Sequence, residues 1–237
     1  MKTKAIVVVL LLMFIFNVPV YGGDTEAEHW EKVRQMEQLA ERFKAETGFT
    51  GNVDYYLERM KLGSYEGKFA DIPFSADADT TTFRQACNRV LDKILPYSFA
   101  KRSQLSMSRI TRQWGYTRTN YYQLVNGYGV EGYGFIVITY DAGRNRFDIG
   151  DGAVELPDNV VVSVSSDQAI NMAKEFHSAN YQIQLKDIVP YEIIDLKMCN
   201  PDETGYKLMY IVHIPDIDYY IDARTGSLLH RNAIVDE

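Results

Sequence analysis

Apolar and polar positions along the chain alternate in two different periods, helical and then strand-like, and the helical period returns once. Trp30, Val33, Met36, Leu39, Ala40 and Phe43 recur at helical spacing. Thr25 and Glu28 are spaced as a capping box at the start of that helix, and Thr47-Gly48 stops it. The stretch 49–78 mixes Gly63, Gly67 and Pro73 with a short amphipathic piece around Tyr55 to Met60, and it is expected to be mostly irregular. A second helix follows, capped by Asp79 or Thr80, with Phe83, Ala86, Cys87, Val90 and Ile94 as its apolar stripe and Pro96 as its end.

The period then changes to two. Leu105 and Met107 alternate against serines, and 116–125 is a Tyr- and Thr-rich run suited to a strand. Asn126-Gly127 begins a turn region. Along 133–141, Phe135, Val137 and Thr139 lie on one face and Gly134, Ile136 and Ile138 on the other, which predicts a strand covered on both faces. Asp141-Ala142-Gly143 turns the chain into 144–149 and completes an antiparallel meander. After a short strand at 160–164, the helical period returns: Ser165 and Gln168 announce a third helix through Ala169, Ile170, Ala173 and Phe176. Strands near 189–196, 206–214, 219–222 and 227–231 follow, separated by turn formers at 200–205, Pro215-Asp216 and 223–226.

One helix followed by a meander therefore occurs twice. The expected fold is α+β, two tandem modules each with a helix packed on an antiparallel β-meander. The expected divisions are 1–22 as a signal peptide, 23–78 as an N-terminal helix and irregular segment, 79–160 as the first module and 161–237 as the second.

The leader sets the compartment. Lys2 and Lys4 precede an unbroken apolar run at 5–16, then Asn17, Pro19 and Gly22, the order of a charged region, an apolar core and a cleavage site. The run is too short for the roughly 20 apolar residues of a membrane span. A periplasmic or secreted protein with no stable membrane anchor after cleavage is expected. The whole chain of 237 residues has net charge −7, and removal of Lys2 and Lys4 makes it more acidic, which argues against nucleic acid as a partner. A hydrophobic fraction of 46% argues against disorder. Cys87 and Cys199, the two cysteines, can pair in an oxidising compartment or stand apart as small apolar side chains, and spacing along the chain leaves both readings open.

Two segments resemble a known family. YYQLVNGYGVEGYGFIVITYDAGRNRFDIGDG at 121–152, with Gln123, Gly129-Val130 and Gly132 in the matching places, resembles the first propeptide module of fungalysin/thermolysin-type zinc metallopeptidases. VSSDQAINMAKEF, KLMYIVHI and YYIDARTGSLLHRN resemble the PepSY module that follows it in those precursors. In that family the propeptide is followed by a peptidase bearing H-E-x-x-H, a motif this sequence lacks up to Glu237. The resemblance implies an exported, non-enzymatic, propeptide-like binding protein that restrains or chaperones a secreted metallopeptidase in trans. A structural or ligand-binding envelope protein with no peptidase target is the alternative.

The residues themselves support no catalytic, cofactor or metal assignment. His29, His177, His213 and His230 have no zinc-ligand spacing, and Asp77 with Asp79, or Asp216 with Asp218, lack the spaced ligands of a calcium loop. Cys87 sits on an apolar stripe, where core packing outweighs nucleophilic use. Asp222, Thr225 and Gly226 read as a structural turn: a carboxylate accepting backbone hydrogen bonds, a hydroxyl reinforcing it and a glycine with positive φ. Six tyrosines between 116 and 140 crowd one meander, and Tyr121, Tyr122 and Tyr133 are the candidate partner contacts, since a tyrosine ring buries area while its hydroxyl finds a hydrogen bond.

Overall fold

The computed structural model describes residues 25–75, 77–181, 193–200, 204–214 and 217–233. The expected signal peptide, the first residues of the strand near 189–196 and the Pro215-Asp216 turn lie outside them. The fold is α+β, with three helices and two antiparallel sheets among the described residues.

Helix α1 (Glu26–Thr47) starts at a complete Thr25/Glu28 capping box and ends at Gly48 with φ +67. β1 (Phe49–Tyr56), a 3-10 turn (Leu57–Arg59) and β2 (Lys61–Phe69) follow, then α2 (Thr80–Ile94), capped by Asp79. Next come β3 (Leu105–Met107), β4 (Thr111–Gln113), β5 (Tyr116–Val125), β6 (Tyr128–Gly129), β7 (Phe135–Asp141) and β8 (Arg146–Asp151). These eight strands form one sheet in the order β1-β2-β8-β7-β5-β3, with β4 and β6 paired to the two ends of β5. Helix α3 (Ser166–Tyr181) then precedes β9 (Ile193–Cys199), β10 (Lys207–Ile214), β11 (Ile217–Asp222) and β12 (Leu228–Ala233), which form a four-stranded sheet in the order β12-β11-β10-β9.

Two cores follow from this layout. Met36, Ala40 and Phe43 of α1 and Phe83, Cys87, Val90 and Ile94 of α2 pack on Tyr65, Tyr121, Ile136, Ile138 and Ile149 of the larger sheet. Ala169 and Ala173 of α3 pack on Leu208, Tyr210, Val212 and Ile221 of the smaller one, where the small side chains let the helix approach closely. A third, small cluster joins Cys199, Met209, Ile211 and Tyr220 on the other face of the second sheet.

Five expectations are corrected. The stretch expected to be irregular is largely a β-hairpin: β1 and β2 pair along their length, and β2 pairs with β8. Its glycines make room within the sheet. Gly51 faces Gly67 across the hairpin, where a Cβ on Gly67 would stand 2.2 Å from the Thr50 carbonyl oxygen, and Gly63 lies under the Tyr56 ring. Consequently 25–78 is not a separate segment but shares the core and sheet of the first module, which carries two helices rather than one. Residues 160–164 form no strand; the Ser163 and Val164 N–H groups both donate to the Ala223 carbonyl. The passage between modules comes earlier than 160, since Ala153 belongs to the first core and Val154 to the second. On β7, Ile136, Ile138 and Tyr140 are buried while Phe135, Val137 and Thr139 are half-buried, so one face is fully covered and the other only in part.

Cys87 and Cys199 are both free and buried, in different clusters. Burial pushes the Cys87 thiol up to about 12 and raises that of Cys199 as well. A thiol reagent added to the native protein is therefore expected to find almost no reactive thiolate. Two thiols should titrate once the chain is denatured without reductant, and recovery of none would reveal a bond between them.

Candidate functional site

The crossing from one core to the other requires backbone to pass through the interior with no strand beside it. Buried peptide groups must still be hydrogen-bonded, and three side chains do this for Ala153 and Val154. Asp151 Oδ1 accepts from the Ala153 N–H at 2.9 Å, and Lys61 Nζ donates to the Ala153 carbonyl at 2.8 Å. Gln123 pairs with Val154 twice, its Nε2 donating to the carbonyl at 3.0 Å and its Oε1 accepting from the N–H at 2.8 Å. Lys61 Nζ also lies 3.0 Å from Asp151 Oδ1, with both side chains essentially inaccessible to solvent. Burial lowers the Lys61 pKa, and the Asp151 carboxylate opposes that shift.

Period-two geometry puts the pair there. Phe147, Ile149 and Asp151 follow one another on the buried face of β8, and Lys61, Gly63, Tyr65 and Phe69 on that of β2. A lysine and an aspartate each ending an apolar alternation, on paired strands, is the sequence signal that predicts a buried ion pair. It was open to a reading that treated β2 as a strand.

A cleft of about 530 Å³ opens beside this pair, lined by Tyr56, Arg59, Tyr133, Phe135, Asp151 and Gly152 among others. Asp151 Oδ2 has no hydrogen-bond partner among the described residues. The rim is aromatic and cationic. Tyr56 and Tyr133 expose about half of their surface. The Arg59 guanidinium carbon stands 4.7 Å from the Tyr133 ring centroid and 5.9 Å from that of Tyr56, within cation–π range. Arg59 makes no ion pair with any carboxylate among the described residues. The turn that carries it also borders a second cleft toward the other module, lined by Glu131, Tyr133, Tyr206, Tyr220 and His230. The two clefts share Glu58, Arg59 and Tyr133, so together they make a groove over the junction of the modules.

Of the three tyrosines expected as partner contacts, Tyr133 is in this groove. Tyr122 is exposed on the outer face of β5 and receives a hydrogen bond from Asn120 Nδ2 at 3.1 Å. Tyr121 must be withdrawn as a contact: it points from the opposite face of β5 into the first core and is 4% exposed. Asp222 forms a turn in which its Oδ1 accepts from the Arg224 and Thr225 N–H groups, each at 2.8 Å. There Thr225 Oγ1 accepts from the Ser227 N–H at 3.2 Å, and Gly226 takes φ +75.

The remaining reactive side chains are engaged in the fold. His177 Nδ1 pairs with Tyr219 Oη at 2.9 Å, and burial lowers its pKa. His213 lies 3.0 Å from Asp218, its neighbour across β10 and β11. No group of three or more His, Cys, Asp or Glu side chains gathers as a metal site among the described residues. The groove thus presents aromatic faces and the Arg59 guanidinium beside the carboxylates of Glu58 and Glu131, while the unpaired Asp151 Oδ2 stays buried beneath it.

No family model matches the chain, and no curated protein matches it. Among solved structures it is similar to the Bacillus megaterium YpeB C-terminal domain, at 9% identity over 90% of this chain and 99% of that one, with a TM-score of 0.30. A likeness at that level carries no argument about fold or function.

The buried pair generates a stability prediction. Removing one partner leaves an uncompensated interior charge, so Lys61→Met should lower the unfolding free energy by about 3–5 kcal/mol. Adding Asp151→Asn should recover part of that loss, because the stranded charge is gone. Urea titrations of the two variants read both effects, and a Lys61→Met loss below about 1 kcal/mol would remove the pair from its structural role.

Proposed function

We propose that this chain is an exported, non-catalytic binding protein that holds a carboxylate-bearing segment of a partner protein in the groove over its module junction. The observation that carries this reading is Arg59, a half-buried guanidinium stacked on Tyr133 with no carboxylate of its own chain among the described residues. A guanidinium of that kind pairs with a carboxylate in two parallel hydrogen bonds while its face stays on the aromatic ring. Tyr56, Tyr133 and Phe135 supply apolar area beside it, and arginine with tyrosine is the pairing on which interface energy concentrates. The order of the propeptide-like motifs supports a secreted zinc metallopeptidase as the partner, restrained or assisted in trans.

The test uses the chain from Asp24 onward and a panel of exported zinc peptidases from the same organism. Stoichiometric protein should slow at least one of them. Arg59→Ala and Tyr133→Ala should each weaken that inhibition by roughly tenfold or more, as truncation of a central anchor does. Proteolysis unchanged across the panel would exclude the peptidase as partner. Inhibition indifferent to both substitutions would exclude the groove.

A further inference from the structure

The hairpin formed by β4 and β5 ends in an unusual way. Gln113 faces Tyr116, so the loop between them is two residues, Trp114 at φ +48 and Gly115 at φ +83. Two successive positive φ values make the turn that matches the twist of paired strands, and the first position normally belongs to Asn or Asp because a bulky L side chain is disfavoured there. The same strand shows the ordinary solution at its other end: Val125 faces Tyr128, and the loop is Asn126 at φ +51 and Gly127 at φ +90. At the β4–β5 tip a tryptophan occupies the asparagine place.

No packing inside the fold accounts for it. Trp114 is 88% exposed, and all of residues 111–116 are exposed, while the base of the turn is tied to β7 by Tyr116 facing Asp141 and by the Ala142 N–H donating to the Gly115 carbonyl. A strained position holding a large unpacked aromatic is the kind of outlier from which function is inferred.

The charge around it is as unusual as the turn. From 93 to 130 the sequence has six bases and no acid, in a chain of net charge −7. Lys93, Lys101 and Arg102 have carboxylate partners in Asp71, Asp158 and Asp92. Arg109, Arg112 and Arg118, the three flanking the hairpin, have no ion-pair partner among the described residues. Arg112 donates to the Ala78 carbonyl with the Asp79 carboxylate near enough to feel its charge, while Arg118 donates to Asn120 Oδ1. Tyr116, with 45% of its surface exposed, stands beside the tip.

We infer that this tip, Trp114 with Tyr116 and the three arginines, docks the protein on an anionic phospholipid surface. An indole suits the boundary between headgroups and acyl chains, apolar in its ring and polar at its N–H. Clustered arginines add attraction to anionic lipid, and the acidic remainder of the molecule is repelled, which orients the tip toward the bilayer. A protein partner is disfavoured by size: a stable interface needs about 800 Å² and some 20–30 residues on each side, whereas this exposed tip is six residues long. A bilayer demands no such shape complementarity.

The experiment uses the chain from Asp24 onward, which contains every described residue and lacks the apolar run at 5–16 that would bind lipid by itself. Trp30→Phe leaves Trp114 as the single tryptophan reporter. Vesicles of equimolar phosphatidylglycerol and phosphatidylcholine should shift its emission to the blue and sediment the protein at low salt. Vesicles of phosphatidylcholine alone should not. Each Arg→Gln change at 109, 112 or 118 should weaken binding roughly fivefold, and salt near physiological strength should weaken it further. In the chain that keeps Trp30, Trp114→Asn should restore a favoured turn, so that its melting temperature stays level or rises while sedimentation falls at least tenfold. That combination separates docking from folding. Equal binding to both lipid compositions, or full binding by Trp114→Asn, overturns the inference. Absence of binding to either vesicle also overturns it and leaves the tip to an acidic protein.

Discussion

The structure depends on how two consecutive peptide groups are satisfied where the chain leaves one core and enters the other. Ala153 is buried in the first core and Val154 in the second, and no strand runs beside them to take their hydrogen bonds. Left unpaired, each buried group would cost about 1–3 kcal/mol. Lys61, Asp151 and Gln123 supply the partners instead. Because these side chains are fixed on β2, β8 and β5, the second module leaves the first sheet at a defined place. Glu131 adds a tie, its N–H donating to the Met198 carbonyl at 3.0 Å. The groove exists because the junction is held: Asp151 and Gly152 line it on one side, and Tyr133 stands between its halves.

Around that junction the same unit is built twice. In each module a strand ends in an aspartate that faces a residue at or near the start of the strand it pairs with, Asp141 opposite Tyr116 and Asp222 opposite Met209. In each, the aspartate Oδ1 accepts the N–H groups two and three residues on. In each, the alanine after it donates back across the sheet, Ala142 to Gly115 and Ala223 to Leu208. Both turns are explained by local hydrogen bonding, which accounts for a carboxylate at these positions without any substrate. What distinguishes the first module is the addition of α1 and the β1–β2 hairpin. That hairpin carries Tyr56, Arg59 and Lys61, so the cationic side of the groove comes from the addition, and Tyr133, Phe135 and Asp151 come from the repeated meander.

The sequence exposes the helices and the later strands plainly because their signals are local. The Thr25/Glu28 and Ser165/Gln168 boxes both form, and β5 spans the Tyr- and Thr-rich run from end to end. The hairpin of β1 and β2 is hidden because its meaning is not local. Gly51, Gly63 and Gly67 look like breakers until the facing backbone and the Tyr56 ring are in place, and only then are they seen as the residues whose missing Cβ permits the contact. Arg59 is hidden for the same reason, since nothing near it in the chain announces Tyr133, which stacks on it from 74 positions away. Tyr121 failed as a surface candidate through strand parity: Tyr122 and Tyr121 are neighbours in sequence and lie on opposite faces.

β5 also relates the groove to the basic tip. Trp114 precedes the strand at one end, while Tyr122 pairs with Phe135 of the groove and Gln123 holds the junction near the other. Six residues of antiparallel strand separate Tyr116 from Tyr122, roughly 20 Å at about 3.4 Å per residue. That is more than twice the screening length of about 8 Å at physiological ionic strength, so charge at the tip is felt only weakly in the groove. A rigid, paired strand therefore lets one end answer to a charged surface while the other keeps its own electrostatics. A molecule docked through Trp114 would carry the Arg59 groove clear of the headgroup layer, where a segment of a partner protein can reach it.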